Sequence, residues 1–211
     1  MRMLTIGLSL ALAACSLAHA TPSAPLSTEA RKVEAFHGLN LTAVVGVEVG
    51  IGTTPTLEVI APAEWIPRLQ TKVVNGILVV SMPGSWKNVP EIKLAITMPD
   101  LTSIDISGVA SVHATKLATK ALDVTISGTG SVDLAGTVDK LRVSSAGTGS
   151  IEAKDLRAAT VSVDLGGTGE AVVTATKRID ATISGTGAIT VYGKPATVNK
   201  SVSGVGDVEL R

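Results

Sequence analysis

The stretch Ser127-Gly128-Thr129-Gly130-Ser131-Val132-Asp133-Leu134, entered through Leu122-Asp123-Val124-Thr125-Ile126, decides the fold. Apolar and polar residues alternate strictly on both sides of a Ser-Gly-x-Gly turn. A period of two puts alternate side chains on opposite faces of an extended strand. The reading is strand, glycine corner, strand.

The same phrase recurs along the chain. Its first glycines are Gly108, Gly128, Gly147, Gly167, Gly185 and Gly204, spaced by 20, 19, 20, 18 and 19 residues. The second glycines are Gly130, Gly149, Gly169, Gly187 and Gly206, with Ala110 standing where the first turn would have one. Counting each first glycine as zero, positions −6, −4, −2, +4 and +6 are apolar except at Thr102, Ser145 and Lys200. Positions −5, −3, +3 and +5 are polar except at Val172 and Ala188. A fixed period near 19 residues is the mark of a repeat architecture, in which units too thin to bury a face alone stack on their neighbours. The expected fold is all-β: a parallel β-helix, or solenoid, with turns of ~19 residues over 101–211. An antiparallel sandwich also has many short, evenly spaced strands, but gives no reason for one residue type at one offset six times. The glycines fit either a positive-φ corner or a place too crowded for a Cβ.

Residues 29–100 are β-rich without the repeat, and are expected to cap the first turn, whose core and backbone edge would otherwise be open. Leu39 to Val49 alternates as one long strand, Leu57 to Ala61 and Ile92 to Met98 as others. Asn75-Gly76 between Val73-Val74 and Ile77-Leu78 signals a type I′ hairpin. Ala63 to Leu69 reads as a helical turn broken by Pro67, and Pro83 to Pro90 as a loop carrying Trp86. Trp65 and Trp86 are expected to pack against the solenoid's end. At the other end, Lys200 holds a formally inward site while Asp207 and Glu209 flank the last strand. Charges on a terminal edge guard against uncontrolled pairing, and the same edge is a candidate for self-association or for docking a partner strand.

The first twenty residues read as a secretory signal: basic Arg2, an apolar run from Met3 to Ala14, and an Ala18-His19-Ala20 cleavage site. Leu12-Ala13-Ala14-Cys15 is also a lipobox, which would make 1–14 a lipoprotein signal and Cys15 the lipidated residue; both readings stand. Residues 21–28 form a Pro/Ser linker. With a single cysteine in the chain, the exported part holds together without disulfides.

The 18 basic residues balance 18 acidic ones, which points away from nucleic acid. The Gly-x-Gly turns lead into strands, not helices, so they lack the helix N-terminus that a phosphate-binding loop needs. A calcium-binding β-roll wants an aspartate where Gly166-Gly167-Thr168-Gly169-Glu170-Ala171 has alanine. No cofactor or metal is expected. His113, Asp133, Glu152, Val172, Thr190 and Glu209 share the +5 column, a candidate carboxylate row whose simpler explanation is a solvated face. The repeats have almost no insertions from which to build a catalytic groove. Aromatic residues are few, two Trp, one Tyr and one Phe, and only Tyr192 lies in the repeats.

The exported part, from about residue 33 to 211, resembles the head GIN domain family, described as auto-transporter adhesins. The likeness lies in Phe36-His37-Gly38-Leu39, in Val45-Gly46-Val47-Glu48-Val49, in Val73 to Val80, in the string of Ser-Gly-x-Gly turns and in the close Val191-Tyr192-Gly193-Lys194-Pro195 followed by Ser203-Gly204-Val205-Gly206. It departs at Ala110, Ala146 and Gly166. The resemblance implies a parallel β-helix, exported and associated with the cell envelope, and implies no established biochemical activity. The leading reading of the residues is a non-enzymatic envelope protein whose rigid solenoid serves as a binding or structural surface for an unknown envelope or surface partner. The competing class is a β-helix enzyme acting on polysaccharide, which would need convergent acids in a deep groove.

Overall fold

The computed structural model describes residues 25–211; the stretch read as a signal sequence, Cys15 and the first half of the linker, residues 21–24, lie outside these residues. In chain order the strands are β1 (Leu26–Arg31), β2 (Gly38–Leu41), β3 (Val44–Ile51), β4 (Thr56–Pro62), β5 (Gln70–Val74), β6 (Ile77–Ser81), β7 (Lys93–Met98) and β8 (Ser103–Ile106). There follow β9 (Val109–Ile126), β10 (Thr129–Ser145), β11 (Thr148–Leu165), β12 (Thr168–Ile183), β13 (Thr186–Tyr192), β14 (Thr197–Val202) and β15 (Val205–Leu210). One 3₁₀ turn, Ile66–Arg68, separates β4 from β5.

The chain winds into a β-solenoid of about five turns. β9, β10, β11 and β12 pair in parallel, with Val112, Val132, Ile151 and Ala171 in one row. Each of these strands runs from one glycine corner to the next, bending midway, so each contributes to two facing sheets. The first sheet stacks β3, the leading halves of β9 to β12, β13 and β15. The second stacks β2, β8, the trailing halves of β9 to β12, and β14. Between them lies the aliphatic interior that the alternation requires: Ile104, Ile126, Val143, Ile151, Val163 and Ile183 are all buried.

The repeats differ in length, and the midway bend absorbs the difference. Between β10 and β11 the offset changes between Asp133 and Gly136; between β11 and β12 it changes after Ala153. The glycine corners therefore stay in register. The positive-φ residues of the repeats sit at or beside this second bend, at Lys116 (φ 60°), Gly136 (φ 137°) and Gly193 (φ 89°).

Two expectations for 29–100 need correction. Leu39 to Val49 is not one strand: β2 and β3 lie on different sheets, divided at Thr42-Ala43. The alternation survives the corner, so it hides the break. Pro67 does not break the turn near Trp65 but sits among its first residues, where no backbone N–H is needed. The Asn75-Gly76 turn joins β5 and β6 in an antiparallel hairpin with both residues at positive φ.

Turn order along the axis also departs from chain order. β6 and β7 pair in parallel with β2 and β3, on the side opposite β8 and β9. Thus β6 and β7 form an outer turn, reached only after β2 and β3 are laid down. Beyond it, β4 and β1 extend the first sheet antiparallel, and β5 extends the second. Arg31 ties this end together. Its guanidinium donates to the carbonyls of Leu69 (2.7 Å) and Ile66 (2.8 Å), and its Nε pairs with Glu29.

Candidate functional site

The corners stack directly on one another. The N–H of Thr148 donates to the Gly128 carbonyl, Thr168 to Gly147 and Thr186 to Gly167, each at 2.9 Å. None of the first or second glycines has a positive φ; the left-handed values belong to the other bend. Crowding explains them. A Cβ on Gly147 would collide with the Gly128 carbonyl oxygen, and one on Gly167 with that of Gly147. The second glycines Gly149, Gly169, Gly187 and Gly206 meet the carbonyl of the preceding second glycine in the same way. At Gly130 the nearest neighbours are looser, Ile106 at 3.1 Å and the Ala110 carbonyl at 3.3 Å. That is the rung where the repeat carries Ala110.

Just past the corners runs a groove of about 580 Å³, parallel to the solenoid axis. Gly130, Gly149 and Gly169 form its floor, continued by Ala110 and Val45. Thr129, Thr148 and Thr168 make one wall, prolonged by Val109 and Val44; Ser111, Ser131 and Ser150 make the other. Every rung is fixed by the parallel register, so hydroxyls recur once per turn, about 4.8 Å apart.

Pro90, Glu91 and Ile92 close the groove at one end. Their position follows from the topology: where other turns have a tight corner, the β6–β7 turn has the loop of residues 82–92. The loop carries Trp86, and the expectation that both tryptophans pack against the end holds for only one of them. Trp65 is 9% exposed but Trp86 40%. Their rings meet edge to face at 5.9 Å, and the Arg68 guanidinium lies 4.7 Å from the centre of each. Beside them a second cavity, about 450 Å³, is lined by Leu26, Pro62, Glu64, Trp65 and Asn88, and shares Pro90 and Glu91 with the groove.

The +5 column is in register: His113 pairs with Asp133, Asp133 with Glu152, and Glu152 with Val172. Glu48 joins it on the side of β3, which sequence spacing could not show because residue 48 precedes the repeats. The His113 ring nitrogen Nδ1 is 3.0 Å from Asp133 Oδ2, and both side chains are about half exposed, 46% and 54%. The row lies on the outer face of the first sheet, where Glu48, His113 and Asp133 line a cavity of about 410 Å³ that shares Ser111 and Ser131 with the groove. Among the described residues no cluster of three His, Cys, Asp or Glu side chains has metal-holding geometry.

Other charges are arranged for the outer surface. Asp180 accepts from Arg178 (2.7 Å) and from Asn199 (2.7 Å), and these hydrogen bonds, Arg178 first, hold its carboxyl below the usual range. Arg211 does the same for Glu209. Lys200, at its inward site, donates to the Val208 carbonyl at 2.6 Å and so turns its charge back onto the last turn.

Among solved structures the chain is similar to a protein of Bacteroides fragilis described as "a putative adhesin", with 30% identity, a TM-score of 0.77, and coverage of 90% of this chain and 99% of that one. It is also similar to a "Putative lipid binding protein" of Parabacteroides distasonis, at 21% identity and a TM-score of 0.52, covering 88% of this chain and 96% of that one; this likeness is one of fold. No curated protein matches. The family described as "Putative auto-transporter adhesin, head GIN domain" matches residues 35–195. With that match spanning most of the solenoid and its outer turns, the chain belongs to the head GIN domain family.

Proposed function

We propose that this chain is a non-enzymatic, adhesin-type protein of a bacterial envelope or cell surface, and that it binds through the corner groove. The observation that carries the reading is the groove itself: a shallow, open groove of about 580 Å³ on a scaffold whose rungs are held by backbone hydrogen bonds. A rigid, pre-formed surface binds without first ordering itself, and so keeps affinity that a flexible one would lose. Family membership and the 30% identical adhesin neighbour support the adhesin reading. The export signal read in residues 1–20 supports the location, and no helix among the described residues is long and apolar enough to cross a membrane. Against a hydrolase or lyase stands the placement of the acids. The Glu48–His113–Asp133–Glu152 row runs along the outer sheet face beside the groove, and with His113 and Asp133 about half exposed it does not form the water-excluded site that convergent acids would need.

The test is fractionation of the producing bacterium followed by binding of the purified protein to intact cells. Recovery in the envelope or at the surface, with saturable binding to cells, is expected. A cytoplasmic protein that binds no cell surface would contradict the proposal.

A further inference from the structure

We propose that the second bend of the solenoid is a docking edge for an anionic lipid surface, so that the molecule sits on a membrane with its corner groove facing away. The proposal takes only the envelope location from the reading above and does not depend on what the groove holds.

Charge placement carries it. The 18 basic and 18 acidic residues cancel over the whole chain but not over its surface. The bend opposite the glycine corners gathers cations turn after turn. Lys116 and Lys120 stand on its first turn within the repeats and Lys140 on the next. Lys154 and Arg157 follow, then Lys177 and Arg178, then Lys194. Asp139 and Asp155 are the only carboxylates on the same segments, residues 115–120, 135–140, 154–160, 174–178 and 192–197. Every one of these cations is exposed. Among the described residues only Arg178 of this group is in an ion pair, with Asp180. Leu117, Val138, Leu156 and Ala175 fill the inner side of the bend, so the charges ride on a firm convex edge.

The neighbouring surfaces set the orientation. Glu48, Asp133 and Glu152 lie on the outer face of the first sheet, and Asp105, Asp123 and Asp164 on that of the second. Both sheet faces therefore repel a negatively charged plane, and the molecule meets it on edge.

The shape and the kind of cation select the partner. Successive turns are about 4.8 Å apart, so five of them spread the charges along roughly 20 Å of a ridge that faces outward and encloses nothing. Most of the cations are lysines, compact hydrated charges without the planar fork by which arginine grips a single phosphate. Such a row suits many headgroups at once rather than one phosphorylated residue. Tyr192 lies at the same bend with Lys154 Nζ 4.8 Å from its ring centre, an aromatic body with a polar tip of the kind that settles at headgroup depth. It is the only aromatic side chain of the repeats and its ring is already covered, which leaves no platform for stacking the bases of a nucleic acid.

The test uses the full exported chain in co-sedimentation with vesicles of phosphatidylcholine alone and of phosphatidylcholine and phosphatidylglycerol in equal parts. Binding to the anionic vesicles at low salt is expected, with none to the neutral ones and release at high salt. The triple variant Lys140→Glu, Arg157→Glu, Lys177→Glu should weaken binding by roughly a hundredfold or more, at about fivefold for each cation lost. Lys72→Glu, Lys87→Glu and Lys93→Glu together make the same change in net charge away from the ridge, and should leave binding within about twofold. Circular dichroism and melting check that both variants fold, and the lipid and salt dependence of the wild type reads the proposal without either. Orientation is read with brominated lipids. Trp65 and Trp86 lie at the groove side, and their emission should stay unquenched on bound vesicles. Equal binding to neutral vesicles, indifference to the ridge variant, or tryptophan quenching would overturn the proposal. So would release of the bound protein by oligogalacturonate or duplex DNA at matched charge, since the ridge would then prefer a soluble polyanion. Ridge-dependent vesicle binding by a protein recovered from the cytoplasm would sink the envelope location and leave the lipid-docking edge standing.

Discussion

A Cβ on Gly128 would run into the carbonyls of Gly108 and Ser107, whereas one on Gly166 would stand 3.6 Å from the Ser184 hydroxyl and 3.7 Å from the Ser145 carbonyl, ordinary contact. The two glycines are neighbours in the same corner pattern, yet they should respond oppositely. Gly128→Ala is expected to destabilise by about 2 kcal/mol or more, because the colliding atoms are backbone and cannot turn aside. Gly166→Ser restores the residue type of the other corners, and should be neutral or stabilise by up to ~0.5 kcal/mol through the unfolded chain. Urea midpoints of the two variants check both. Ser145 is the third informative residue. It sits between Ile126 and Leu165 in an inward column, 3% exposed, and its hydroxyl has no hydrogen-bond partner. Ser145→Ala removes that unmet polar group and should stabilise by ~1 kcal/mol, read as a rise of about 2–4 °C in Tm; a fall in Tm would mean the hydroxyl is satisfied. That Ser145 would be inward was legible from period-two alternation. Why the glycines were there was not, because a crowded corner and a left-handed corner leave the same letter in a sequence.

The strands teach a different lesson. Alternation named the faces of β9 to β13 but not where the strands bend, since a corner of two residues leaves the parity of the pattern intact. Leu39 to Val49 reads as one strand for that reason, whereas at the second bend the alternation slips, as between Leu134 and Leu141 of β10, while the strand itself continues. The stacking of β6 and β7 outside β2 was not legible either. Nothing in the pairing propensity of Ile77 to Ser81 tells which neighbour it chooses, and the loop of residues 82–92 replaces the glycine corner that would have marked the turn. The groove was hidden with it, because its closed end is built by that loop. At the far end, β14 and β15 form an edge on which Val202, Val205 and Leu210 are exposed, Val205 at 73%. Lys200 is the guard of this edge, and Lys200→Val should increase self-association, seen as a concentration-dependent rise in sedimentation coefficient. Sedimentation that stays constant across concentration would show that this end does not pair. Asp180 and Glu209 set the acid response of the same end. Both are held below the usual carboxylate range, so their contribution is present at neutral pH and lost as pH falls through the depressed values. Both are at the surface, so the effect should be small and weaker in high salt. Asp180→Asn should flatten the acid limb of the Tm–pH curve and leave its neutral part nearly unchanged.

Taken whole, the molecule is close to one-dimensional. Each turn of the repeats touches the turn before and the turn after, so stability is nearly a sum over rungs and interfaces. Removing one complete unit, residues 128–146, would set Gly147 above Gly108 and rejoin every column. The shortened chain is expected to keep its β-sheet circular dichroism and to melt cooperatively at a modestly lower Tm. Removing half a unit would send the next turn's apolar residues to the wrong face and should prevent folding. The corner groove shares this geometry, since its walls exist only if successive corners align. Trans-hydrogen-bond NMR correlations test that alignment most directly. The account predicts couplings from the amide of Thr148 to the carbonyl of Gly128, from Thr168 to Gly147 and from Thr186 to Gly167. Couplings joining neighbouring repeats in opposite directions, or none between these corners, would contradict it.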